Sequence, residues 1–130
     1  RIASLKAIRN HSDLRAISIA FKRAANILKQ ARRNGIDIDM LIFSRRLLVE
    51  PEEKALADAV VGTRKSVQNF VGVFDYAKAL KEIAHIRAPL DIFFDKVLVM
   101  AEDRKVRENR LALLKEVLDV FAPIADFARL

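Results

Sequence analysis

Three cations spaced seven residues apart, Arg15, Lys22 and Lys29, stand out in this sequence as groups able to do chemistry together. Seven residues is close to two helical turns, so on a helix they stack into one stripe. Asn26 and Arg33 fall on the same side, with Arg23 and Arg32 flanking them, and no acid follows Asp13 in this stretch. The bland reading is a solvated face. Solvated faces usually mix signs, because opposite charges one turn apart stabilise a helix by about 0.2–0.5 kcal/mol and like charges cost as much. A stripe of one sign suits an anion instead. Arginine grips phosphate with two hydrogen bonds and stacks on bases, whereas lysine acts as a point charge. Asn26, in mid-stripe, carries an amide able to read a base edge. Lys29, Arg32 and Arg33 also suit the negative end of a helix dipole, but that does not account for Arg15, Lys22 and Arg23. Arg45 and Arg46 are a further basic pair.

The net charge is +7. Residues 1–33 hold nine Lys or Arg against one acid, a local charge of +8, and the remainder sums to −1. A field concentrated in this way attracts polyanions such as nucleic acid. Acidic lipid is the rival anion, but a membrane-surface helix usually presents bulky apolar residues. Here the apolar side is rich in Ala, which suits close helix packing. No apolar run approaches the ~20 residues of a membrane span.

The elements that must position the stripe are helical. Gly and Pro number three each among 130 residues, hydrophobic residues make up 52%, and Ala, Leu, Lys, Arg and Glu abound. This predicts one all-α domain over residues 1–130, a bundle of about five to six helices. The absence of cysteine rules out disulfides and thiolate metal sites and fits a reducing compartment. The first residue is Arg, which points to a piece of a larger protein.

Residues 1–10 predict a short amphipathic helix on Ile2, Leu5 and Ile8. Ser12 or Asp13 fits the N-cap of the helix that carries the stripe. Its apolar side includes Ile17, Phe21, Ala24, Ala25 and Leu28, and Gly35 fits its left-handed stop. Residues 36–50 have no clean period and predict a packed loop or short helix. Pro51 opens the next helix, with Glu52 and Glu53 at its positive end, and Gly72 closes it. Gly62 inside that helix implies close packing against a neighbour. Asp75 caps a helix that stops near Arg87, because Pro89 disfavours helix at Ala88, and Pro89 opens another. Residues 100–103 form a break, Asp103 caps the last long helix, and Pro123 kinks or ends it.

Catalytic signals are weak. His11 and His85 lie in no ligand-spaced cluster. Glu52/Glu53 and Glu102/Asp103 resemble acid–base pairs but stand at helix starts, where carboxylates are expected. Asp91 and Asp95 lie one turn apart and suit a divalent ion less well than pairing with Arg107 or Arg110. Three scattered glycines make no phosphate loop.

The segment APLDIFFDKVLVMAEDRKVRENRLALLKEV, residues 88–117, closely resembles the C-terminal end of the bacterial glycyl-tRNA synthetase beta subunit. The match runs in order through Phe93-Phe94-Asp95-Lys96-Val97, Val99-Met100-Ala101-Glu102-Asp103 and Asn109-Arg110-Leu111. FKRAANIL, residues 21–28, resembles an earlier helix of the same subunit, whereas residues 34–73 match loosely. The resemblance implies a helical anticodon-binding domain of the class shared with arginyl-tRNA synthetase, although the four-letter signature of that class is not spelled out here.

From this follow the expectations to be tested. The partner is the anticodon stem-loop of glycine tRNA, bound beside the rest of the beta subunit and the alpha subunit in the cytoplasm, with no membrane. The domain is not catalytic alone. It is part of a glycine–tRNA ligase whose ATP and magnesium bind elsewhere, so the domain itself has no cofactor. The expected RNA-binding residues are Arg15, Lys22, Arg23, Lys29 and Arg33, with Asn26, Arg45 and Arg46 as neighbours. Phe93, Phe94, Val97, Leu111 and Leu114 are core. Asp95, Lys96, Glu102, Asp103, Arg107 and Arg110 form a polar lattice joining the last two helices, and Lys96 and Arg110 could also touch RNA. The rival reading is a helical docking module for other synthetase domains or subunits without direct RNA contact.

Overall fold

Ile17, Ala20, Phe21, Ala24, Leu28 and Ala31 recur at three- and four-residue intervals, and all six are buried in a computed structural model that describes residues 12–128 (side chains at 15 and 17–124). They line the inner face of α1, Ser12–Arg33. Ala25, expected on that face, is exposed. The helix already includes Ser12 and Asp13, so neither is its N-cap. The short helix expected over residues 1–10 lies outside the described residues. The stop of α1 is the expected one. Gly35 sits at φ 88°, the Gly35 N–H donates to the Arg32 carbonyl and the Ile36 N–H to the Ala31 carbonyl, each at 3.1 Å. This is the pattern of a helix closed by a left-handed residue.

Two 3₁₀ turns, η1 (Ile38–Met40) and η2 (Arg45–Leu47), follow. Ile38 is buried, and the segment is pinned by the Ser44 N–H donating to Asn109 Oδ1 at 2.7 Å. Then come α2 (Pro51–Gly72), α3 (Tyr76–Lys96) and α4 (Arg104–Ala128). Among the described residues the architecture is all-helical, with four α-helices around one core. None is long and apolar enough to cross a membrane.

The helix starts follow their capping chemistry. Pro51 takes the first turn of α2. The Asp75 carboxylate accepts from the Lys78 N–H at 3.2 Å to open α3, and Asp103 accepts from the Val106 N–H at 3.1 Å to open α4. Pro89 acts differently from expectation, and Pro123 does not end its helix. Pro89 lies inside α3, and Pro123 inside α4. An interior proline loses one backbone hydrogen bond and costs about 3 kcal/mol. Burial on both sides outweighs it. Ile83, Ile86, Leu90 and Phe93 are all buried along one face of α3. A break at Ala88 would withdraw the last two, each worth about 1.5–3 kcal/mol. Val120, Phe121 and Ile124 span Pro123 in the same way. Gly62 also departs from expectation: it is exposed, and a Cβ there would meet nothing within 4 Å.

The polar lattice joins different partners from those expected. Arg110 is buried, and its Nη2 donates to buried Glu53 Oε1 of α2 at 2.7 Å while its Nη1 donates to the Leu98 carbonyl at 2.7 Å. It is therefore a structural clamp and unavailable to RNA. Arg107 donates to the carbonyls of Ala101 and Glu102 at 3.1 and 3.3 Å. Asp91 pairs within its own helix with Arg87 at 3.5 Å. Asp95, Lys96 and Glu102 are exposed. Of the expected core, Phe93, Val97, Leu111 and Leu114 are buried and Phe94 is half-buried.

Candidate nucleic-acid interface

α1 is held rigidly, which fixes the direction of its outer face. Phe21 stacks on Phe121 of α4 with ring centroids 4.1 Å apart and planes 29° from parallel. On the outer face, Arg15, Lys22, Asn26, Lys29 and Arg33 are all exposed. At 100° per residue they fall within an arc of about 60°, and Arg15 to Arg33 spans about 27 Å of helix axis. Arg15, Lys22, Lys29 and Arg33 have no carboxylate partner among the described residues. The stripe is thus a row of cations without carboxylate partners among the described residues, about 10 Å apart from Arg15 to Lys29, close to one Debye length at 0.1 M salt, and about 6 Å apart from Lys29 to Arg33. Ile19, 62% exposed, lies at its edge.

The remaining candidates diverge. Arg23 points to one side, its guanidinium carbon 4.5 Å from the centroid of the Phe94 ring of α3. Such a cation–π contact contributes about 0.5–1 kcal/mol at an exposed site and holds the planar group at the α1–α3 rim. Arg32 is on the opposite flank and pairs with Asp39 of η1 at 3.0 Å. Arg45 and Arg46 stand on η2, and Arg45 pairs with Asp58 of α2. They are exposed but belong to a separate basic patch, beside α2, rather than to the stripe.

Beside Arg23 lies a feature that charge patterning missed. A groove of about 230 Å³ runs between the C-terminal half of α1 and the α3–α4 turn. Its walls include Arg23, Gln30, Asn34, Phe94, Leu98 and Met100. The signal was present as amides four apart, Asn26, Gln30 and Asn34. On a helix such a row winds about 40° per step, and this one leads from the stripe into the groove.

The carboxylate and histidine candidates have structural roles. His85 is exposed in mid-α3, 3.4 Å from Glu82. Glu53 is buried in the Arg110 clamp and Asp103 is a cap. His11 lies outside the described residues. No cluster of three metal-ligating side chains occurs among the described residues.

The class of protein defined by this scaffold is an all-helical domain that presents a cationic stripe on one helix, the kind of surface that suits a polyanion. The DALR anticodon binding domain family matches residues 17–126, and the chain belongs to that family. It is similar to the glycine–tRNA ligase beta subunits of Geobacter metallireducens (44% identity over 132 residues), Acidobacterium capsulatum (44% over 133) and Haemophilus influenzae (38% over 128). These alignments cover 100%, 100% and 98% of this chain but 18%, 19% and 18% of the relatives. The chain thus spans under a fifth of the length of those proteins.

Proposed function

We propose that this domain captures the anticodon stem-loop of glycine tRNA as part of a glycine–tRNA ligase beta subunit. Arg15, Lys22, Lys29 and Arg33 contact phosphates, Asn26 faces the same RNA, and Arg23 meets it at the rim. Arg45 and Arg46 provide a secondary contact. The observation that carries the reading is the unpaired cation stripe on a helix whose opposite face is buried. RNA loops offer both parts of the match, phosphates along the strand and bases splayed from it. The domain works in the cytoplasm as the C-terminal piece of its subunit, beside the alpha subunit. Adenylation and glycine transfer, with ATP and magnesium, take place elsewhere in the complex. The domain itself uses no cofactor.

The test is charge reversal in the two-subunit synthetase. The triple variant Arg15→Glu, Lys22→Glu and Lys29→Glu should lose most of its affinity for a glycine anticodon stem-loop. Wild-type affinity in that variant would sink the reading.

A second reading, docking on other synthetase domains, is favoured by Met40, Ile42 and Val49. These apolar residues are exposed on the segment carrying η1 and η2. They lie outside the α1 stripe, so the two roles use different surfaces. Polar substitutions at Ile42 and Val49 would weaken docking and leave stem-loop affinity intact.

A further inference from the structure

We propose that the groove between α1 and the α3–α4 turn holds one unstacked base of the bound RNA. The base stacks on Arg23, and its edge is read by Gln30 and Asn34. This rests on the stripe being the phosphate-binding face. The groove itself supplies four separate observations.

The first is size. At about 230 Å³ the groove is smaller than the ~300–1,000 Å³ of sites for drug-sized ligands, which suits one planar ring system rather than a whole nucleotide. The second is the stacking platform. The Arg23 guanidinium carbon lies 4.5 Å from the Phe94 ring centroid, so the group is held against the ring at the mouth of the groove before any ligand arrives. Phe94 is fixed in turn by an edge contact with Phe93, centroids 5.9 Å apart. Arginine planes and aromatic rings are the usual stacking partners of splayed RNA bases. The third is apolar contact for the other side of a ring. Leu98 is 70% exposed and Met100 41% exposed, both on the α3–α4 turn.

The fourth is hydrogen-bonding capacity with no internal use. The side-chain amides of Gln30 and Asn34 line the groove, are exposed, and make no hydrogen bond among the described residues. Each amide offers donors and an acceptor, as a base edge does. Asn26 stands one turn before Gln30, toward the phosphate stripe. A nucleotide with its phosphate near Lys22 or Asn26 is therefore placed to turn its base past Arg23 into the groove. The base pocket and the phosphate track are parts of one continuous surface on α1.

The experiment measures binding of glycine tRNA to the two-subunit synthetase, using transcripts substituted at each anticodon-loop position, over a range of salt. The first variant carries Gln30→Ala and Asn34→Ala, both surface changes. It should bind wild-type tRNA more weakly by on the order of tenfold and lose discrimination at one loop position. Its salt slope should stay that of wild type, since no cation is removed. The second variant, Arg23→Lys, keeps the charge but not the plane. It should lose affinity on the order of tenfold with the slope again unchanged. Full discrimination in the first variant together with wild-type affinity in the second overturns the proposal. A reduced slope in the first variant also overturns it, because the groove would then carry phosphate. The variant with Lys22→Ala and Lys29→Ala is run in parallel. If it too keeps the wild-type slope, the failure is that of the phosphate stripe, and the groove proposal falls with it.

Discussion

Arg110 and Lys22 show how differently two cations can serve one domain. Arg110 is enclosed by Glu53 and the Leu98 carbonyl. Removing one member of a buried pair leaves the other charge uncompensated, at a cost of about 3–5 kcal/mol. Arg110→Ala and Glu53→Ala should each destabilise the chain by about that amount in urea unfolding. The double variant should lose less than the sum. Simple additivity would mean the pair is not coupled. The sequence marked Arg110 as prominent but not its partner, because Glu53 is 57 residues away and on another helix. Asp91 and Arg107 differ from expectation in the opposite sense: their partners, Arg87 and the carbonyls of Ala101 and Glu102, are near neighbours in sequence rather than on a facing helix. The stripe residues were legible because their relation is local, fixed by helical period alone. Gln30 and Asn34 share that locality but carry no charge, and the groove they line depends on Leu98 and Met100 from a distant turn.

At the scale of the element, two glycines separate backbone need from accident. Gly35 ends α1 at φ 88°. A side chain in that region costs about 1–2 kcal/mol, so Gly35→Ala should destabilise by that much in thermal or urea unfolding. Gly62 lies exposed within α2 with open space around it. There Ala gains about 0.5–1 kcal/mol in helix propensity, so Gly62→Ala should raise the melting temperature. A lower one would mean the position is crowded after all. Gly35, Pro51, Asp75 and Asp103 could be read from sequence because caps and stops depend on a few neighbouring residues. Pro89 and Pro123 could not. Their local preference is real, but buried residues on both sides of each keep the helix continuous through it. That burial is decided by the other helices, not by the proline's own neighbours.

Across the whole molecule, charge and core divide the labour. The core fixes α1 through the Phe21–Phe121 stack, so the direction of the basic face depends on residues that never meet RNA. Phe121→Ala should cost about 3–5 kcal/mol of stability, measured by urea unfolding. The all-α class was plain from composition and from the sparse Gly and Pro. The number of helices was not, since it turned on Pro89, which lies inside one helix rather than between two. The expected polyanion came from the excess of charge in the first quarter of the chain, and among the described residues the stripe on α1 carries cations of that quarter that have no carboxylate partner.

The central claim is that this stripe holds RNA phosphates. It is tested most directly by the salt dependence of glycine tRNA binding to the two-subunit synthetase, comparing wild type with the Lys22→Ala and Lys29→Ala double variant. If both lysines contact phosphate, the magnitude of the slope of log affinity against log salt should fall by about 2, with weaker binding at every salt concentration. An unchanged slope and affinity would contradict the account and place the RNA elsewhere.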